Sequence, residues 1–144
     1  MKDIKVLLGD TKPKNQEKIR KASEKGECAQ YVDQFLAEVA KPTAIDFPMA
    51  KCIVTDNYFC AYDLFTIAFS KTLTIIPLSN IVNLYRSNIS ANGDYDYANF
   101  HLDVELKDGQ KKHVATVIRN AKNFATVYEG VISCVRSRIS IMGV

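Results

Sequence analysis

The chain has 144 residues, 19 basic and 16 acidic side chains, a formal net charge of +3 and 47% hydrophobic residues. With only 6 Gly and 4 Pro, that composition excludes a disordered, collagen-like or mucin-like chain. The length suits one domain with a real core. The mild charge argues against nucleic acid, whose binders concentrate bases in a stripe to neutralise many phosphates.

In chain order, the pattern leaves residues 1–12 open. Residues 14–25 are polar and good helix formers, and Gly26 interrupts them. Lys12, Lys14, Lys18, Arg20, Lys21 and Lys25, broken by Glu17 and Glu24, read as a solvated helix face rather than a phosphate patch. Cys28, Tyr31, Val32, Phe35, Leu36 and Val39 then recur at helical spacing, and Pro42 closes that second helix. Residues 42–49 read as a connector.

From Ala50 the period becomes strand-like. Lys51 to Thr55 is a short apolar strand, Asp56-Asn57 a turn, and Tyr58 to Leu64 a second strand. Thr66 to Phe69 and Leu73 to Ile76 are further strands around a turn at Ser70-Lys71-Thr72. Pro77 cannot donate to a ladder, so its strand ends there or lies on an edge. Leu78-Ser79-Asn80 reads as a bend or a single helical turn before a strand from Ile81 to Ser90. Asn92-Gly93 predicts a two-residue hairpin turn, because both central positions take positive φ. Residues 100–106 alternate strictly, which points Phe100, Leu102, Val104 and Leu106 to the core and His101, Asp103 and Glu105 to solvent. Lys107-Asp108-Gly109-Gln110 is the next turn, and Lys112 to Ile118 the returning strand. Asn120 is a good N-cap. Phe124, Val127, Tyr128, Val131, Ile132, Val135 and Ile139 mark one face of a helix over about residues 121–139.

The order is helices, about six or seven antiparallel strands joined by short turns, then one amphipathic helix, an α+β plan. Cys52-Ile53-Val54-Thr55-Asp56-Asn57-Tyr58-Phe59 resembles the opening of bacterial pleckstrin-homology-like (PH-like) domains, with its Thr-x-x-Tyr between two strands. Residues 75–85, Ile-Ile-Pro-Leu-Ser-Asn-Ile-Val-Asn-Leu-Tyr, are similar to that family's "I-P-L-x-D-I-x-x-V-Y" segment, and Ile141-Met142-Gly143 to its tail. The resemblance covers residues 50–144. It implies a curved antiparallel sheet or partly open barrel of about six or seven strands, with the C-terminal helix against it and residues 1–49 as a helical extension. It implies a non-catalytic, cytoplasmic interaction module whose partner is an unknown protein or a second copy of the chain. Its N-terminal helices would cap the sheet or form a dimer contact.

No C-x-x-C pair occurs among Cys28, Cys52, Cys60 and Cys134, and both His are remote from them in sequence, so no metal or cofactor is expected. Apolar surroundings make these buried free thiols of a reducing compartment. Ile4 to Leu8 is too short for a signal-peptide core, and no run approaches the roughly 20 apolar residues of a membrane span. The expected location is the cytoplasm, or the cytoplasmic face of a membrane if the chain is a piece of an anchored parent.

For binding, Lys107, Lys111, Lys112 and His113 cluster around one turn and could meet anionic lipid, since clustered cations offset head-group charge. In the PH signature such bases sit on the first hairpin, which here carries Asp56-Asn57, so specific phosphoinositide recognition is disfavoured. Tyr85, Tyr95 and Tyr97 are candidate protein contacts, against the default of core packing. A thiolate–imidazole pair of Cys60 or Cys134 with His101 is disfavoured. Asp94 and Asp96 lack the length and distal Glu of a calcium loop and read as a solvated turn. An enzyme would need a polar pocket with two converging titratable groups, and none is expected.

Overall fold

The structure is a computed structural model, described for residues 8–9, 12–48, 50–63, 72–89, 93–97, 99–118 and 124–141. Helix α1 runs Pro13–Lys25. Pro13 opens it where the missing N–H has no helical partner to lose. Only Ile19, Ala22 and Ser23 are buried on it, the narrow stripe that so polar a segment allows. Glu27 leaves the helix at φ +57°. Its N–H donates to Glu24 O, and that of Cys28 to Ser23 O, the paired bonds of a Schellman cap. A 3-10 turn, Ala29–Tyr31, leads into α2, Val32–Val39.

Strands β1 Ile45–Phe47, β2 Cys52–Val54, β3 Tyr58–Asp63 and β4 Thr72–Pro77 form an antiparallel sheet in chain order. Ile19, Ala22, Val32, Phe35 and Val39 of the helices share a core with Ile53, Cys60, Tyr62, Leu73 and Ile75. The N-terminal helices therefore cap this sheet. No large apolar side chain on α1 or α2 is exposed among the described residues, which counts against a dimer contact through them. These elements lie within one compact unit, residues 1–77.

Residues 42–49 are not only a connector. Ile45, Asp46 and Phe47 pair with Val54, Ile53 and Cys52, and Tyr62 Oη donates to Asp46 Oδ1 at 2.9 Å. A three-residue strand carries too little periodicity to be read locally; its β2 partner and the Tyr62 hydroxyl hold it. Pro77 ends β4, and β4 is an edge of its sheet, as expected of a residue with no N–H.

All four cysteines are free thiols; Cys28, Cys52 and Cys60 are buried and Cys134 is half-buried. Burial pushes the Cys52 and Cys60 thiols up, and the Asp46 carboxylate adds to the effect at Cys52. In the folded protein a disulfide reagent is expected to titrate Cys134 first and the others only on unfolding. More than one fast equivalent without denaturant contradicts that order.

The second unit, residues 78–144, begins with a 3-10 turn, Leu78–Asn80. Strands β5 Ile81–Ser87, β6 Asn99–Leu106 and β7 Lys111–Ile118 form an antiparallel sheet in that order. Helix α3, Phe124–Ile141, packs on β5 and on the 3-10 turn. Of the expected core faces, Leu102 and Val104 and, from α3, Tyr128, Val131 and Val135 are fully buried, as is Leu84, while Leu106 and Ile139 are half-buried. Gly109 takes φ +87° in the β6–β7 turn, where a non-glycine residue would be strained. Leu106 N–H donates to Gln110 O across that turn.

The class is α+β: among the described residues, seven antiparallel strands in two sheets and the helices α1, α2 and α3, the last of them C-terminal to the strands. The strands divide between two sheets, and among the described residues β4 and β5, consecutive in sequence, are not paired. The strand read at residues 66–69, the turn at Ser70-Lys71, Asn92, Asn120 and the tail after Ile141 lie outside the described residues. So does most of the segment preceding α1.

Candidate functional site

The β5–β6–β7 register places Tyr85, Asp103 and His113 in one row across the sheet. By alternation they lie on the face opposite Leu84 and Val104. Here an open groove of about 520 Å³ is lined by Tyr85, Ser87 and Ile89 from β5 and its extension, Asp103 from β6, and Lys111, Lys112 and His113 from β7. Three consecutive β7 residues on one groove depart from strict alternation. The register shifts here, with Asp103 opposite His113 and Leu102 opposite Ala115, so Val114 is unmatched. Such a bulge twists and re-aims its strand.

His113 Nδ1 lies 3.1 Å from Asp103 Oδ1. An ionised carboxylate only accepts, so the ring nitrogen donates. His101 Nε2 lies 2.8 Å from Asp96 Oδ2, and the two imidazoles meet edge to face at 4.9 Å. Burial raises the Tyr85 phenol, with the Asp103 and Glu105 carboxylates adding to it. Tyr85 therefore stays a hydroxyl, and a donor, at neutral pH.

His101 corrects an expectation. It is 6% exposed rather than solvent-facing, because the loop after β5 folds back over its face. Asp96 N–H donates to Asn88 O at 2.7 Å, and that bond sets the Asp96 carboxylate against the ring. Ile89 bridges to Tyr95. Gly93 does take positive φ, +89°. The polar pocket that was not expected is present, with Tyr85, Asp103 and His113 converging on it.

The anticipated binding residues divide. Lys111, Lys112 and His113 line the groove together with Tyr85, while Lys107 stands in the turn with its N–H donating to Asn80 O at 3.0 Å. Tyr95 and Tyr97 lie on the loop, their rings 4.6 Å apart. Ser87, Ile89 and Asp103 join the site unforeseen. Alternation placed Asp103 on this face, but only the register reveals its neighbours. The Cys60 and Cys134 thiols are raised mainly by burial, the opposite of thiolate activation. Among the described residues no three His, Cys, Asp or Glu converge as metal ligands. No described helix is long and apolar enough to cross a membrane. Comparison with known proteins finds no match to a family model, a curated protein or a solved structure.

Proposed function

We propose that the chain is a non-catalytic, PH-like interaction module that binds a protein partner or a second copy of itself through the β5–β6 loop and the adjoining groove. One observation carries this reading. Ile89, Tyr95 and Tyr97 are 45%, 46% and 81% exposed on a single loop, where water is a poor solvent for them. Exposed tyrosines grouped with an aliphatic side chain are the residues that dominate association energies when a partner covers them. The Cys52–Phe59 and Ile75–Tyr85 resemblances and the C-terminal helix support the PH-like reading.

Replacing Tyr95 and Tyr97 together by Ser is expected to weaken self-association or partner capture at least about tenfold, as for loss of two interface anchors. The melting temperature should be little changed, because Tyr97 is largely exposed and Tyr95 nearly half exposed. Sedimentation velocity and cross-linking from position 97 provide the measurement. Association that survives the double variant refutes the reading.

A second reading is a peripheral membrane-surface module. It is favoured by Lys107, Lys111 and Lys112, exposed and without an ion pair among the described residues. It requires binding to anionic but not neutral vesicles, weakening with salt.

A further inference from the structure

Hydrogen-bonding capacity inside the groove is lopsided. Lys111 and Lys112 bring ammonium groups, and neither makes an ion pair among the described residues. Tyr85 brings a hydroxyl that burial keeps protonated. Ser87 Oγ accepts the Ile89 N–H at 3.0 Å, which leaves its own proton to donate. Against these donors, Asp103 is the only carboxylate on the lining among the described residues. It faces His113, and its side chain is 18% exposed. The complementary ligand is rich in acceptors and negatively charged, because groups of that kind satisfy both the ammonium charges and the hydroxyl protons.

We infer that the groove is a binding site for a phosphate monoester, held by Lys111 and Lys112 and oriented by the Tyr85 and Ser87 hydroxyls. A phosphate monoester has three acceptor oxygens and nearly two negative charges at neutral pH, a match for two cations and two hydroxyls. Asp103 fixes the His113 ring beside the lysines. The site lies away from the Asp56-Asn57 hairpin, where the PH resemblance would put a basic grip. It rests on the lysines of the membrane-surface reading and shares the groove and Ile89 with the protein-binding reading, but Tyr95 and Tyr97 are not among its lining.

The test titrates the whole chain with inorganic phosphate and with glycerol 3-phosphate, followed by amide chemical shifts and calorimetry. Saturable shifts are expected at Tyr85, Ser87 and Lys111 to His113. The Lys111→Ala, Lys112→Ala double variant should lose at least about tenfold in affinity, the weight of charge-assisted hydrogen bonds. Tyr85→Phe, which removes one oxygen and keeps the ring, should lose about threefold to tenfold. Tyr95→Ser, Tyr97→Ser should bind phosphate as the parent does, which separates this site from the protein-binding reading. Neutral vesicles with and without phosphatidic acid distinguish the source. Tighter binding to the phosphatidic acid vesicles than to glycerol 3-phosphate marks a lipid head group, and the reverse a soluble monoester. No saturable shift at those amides, or equal affinity in the lysine and Tyr85→Phe variants, overturns the assignment.

Discussion

Gly26→Ala is expected to destabilise the fold by about 3 kcal/mol, far beyond its effect on helix propensity. A Cβ at this position would fall inside the envelope of the Leu73 carbonyl oxygen and 2.8 Å from its carbon. Both are backbone atoms of β4, so no side chain can swing aside. Either the end of α1 or the strand must shift, and both belong to one core. Cys28 reinforces the junction, because its Sγ lies 3.2 Å from Leu73 O and accepts the Ile75 N–H at 3.3 Å. Gly26 itself sits at φ −82°, open to any residue, so the requirement is for space and not for backbone freedom. The neighbouring Glu27 supplies the internal control. It holds the left-handed cap position at φ +57°, so Glu27→Gly should stabilise slightly, by less than about 1 kcal/mol. Urea denaturation of the two variants gives opposite signs if the contact with β4 is the cause. A Gly26→Ala midpoint within error of the parent would show that α1 does not approach β4 so closely.

Glu38→Ala is expected to cost about 2–4 kcal/mol. Glu38 is a carboxylate only 4% exposed, and hydrogen bonds rather than a cation hold it. Its Oε1 accepts the Thr55 hydroxyl at 2.7 Å and the Asn57 N–H at 2.8 Å. Its Oε2 accepts the Asn57 amide at 2.8 Å and that of Gln34 at 3.2 Å. The carboxylate thereby clamps α2 to the β2–β3 turn. Removing it breaks four hydrogen bonds and takes the carboxylate partner from the buried Thr55 hydroxyl, whereas Asn57 and Gln34 are exposed to water. Glu38→Gln keeps the volume but turns an NH₂ toward donors, so it should lose about 2 kcal/mol.

Burial by itself raises the Glu38 pKa, but its hydrogen bonds from Asn57, Thr55 and Gln34 outweigh that and leave it below the ordinary 4.5. The folded state therefore binds the proton less readily than the unfolded chain. Its stabilisation is fully present above pH 4.5 and is lost as the pH falls through the lowered folded value. The stability gap between parent and Glu38→Gln should narrow on acidification across that window. A gap independent of pH would mean that the carboxylate is not ionised in the fold.

These two residues mark where reading along the chain succeeds and stops. The amphipathic periods of α2 and α3 were legible, because a helix buries residues that are three and four apart in its own sequence, and α1 was legible from its polar, helix-forming composition. The β6–β7 hairpin was legible for a similar reason, since Asp108-Gly109 and strict alternation are local signals. Gly26 was read as a helix stop, yet its role is to let a carbonyl some fifty residues away approach. Glu38 was invisible inside an apolar stripe, because the donors that make its burial tolerable come from the Thr-x-x-Tyr turn.

The groove divides in the same way. Lys111, Lys112 and His113 drew notice as a run, and Tyr85 as an aromatic, but nothing local joins them. Strand register brings Tyr85, Asp103 and His113 into one row. A folded-back loop buries His101, which alternation had sent to solvent. Composition, helix faces and turns follow from interactions over a few residues, which the chain states openly. Strand partners, the close approach at Gly26, the clamp at Glu38 and the polar groove depend on contacts between distant segments. Their free energy exists only once the loops between them have closed.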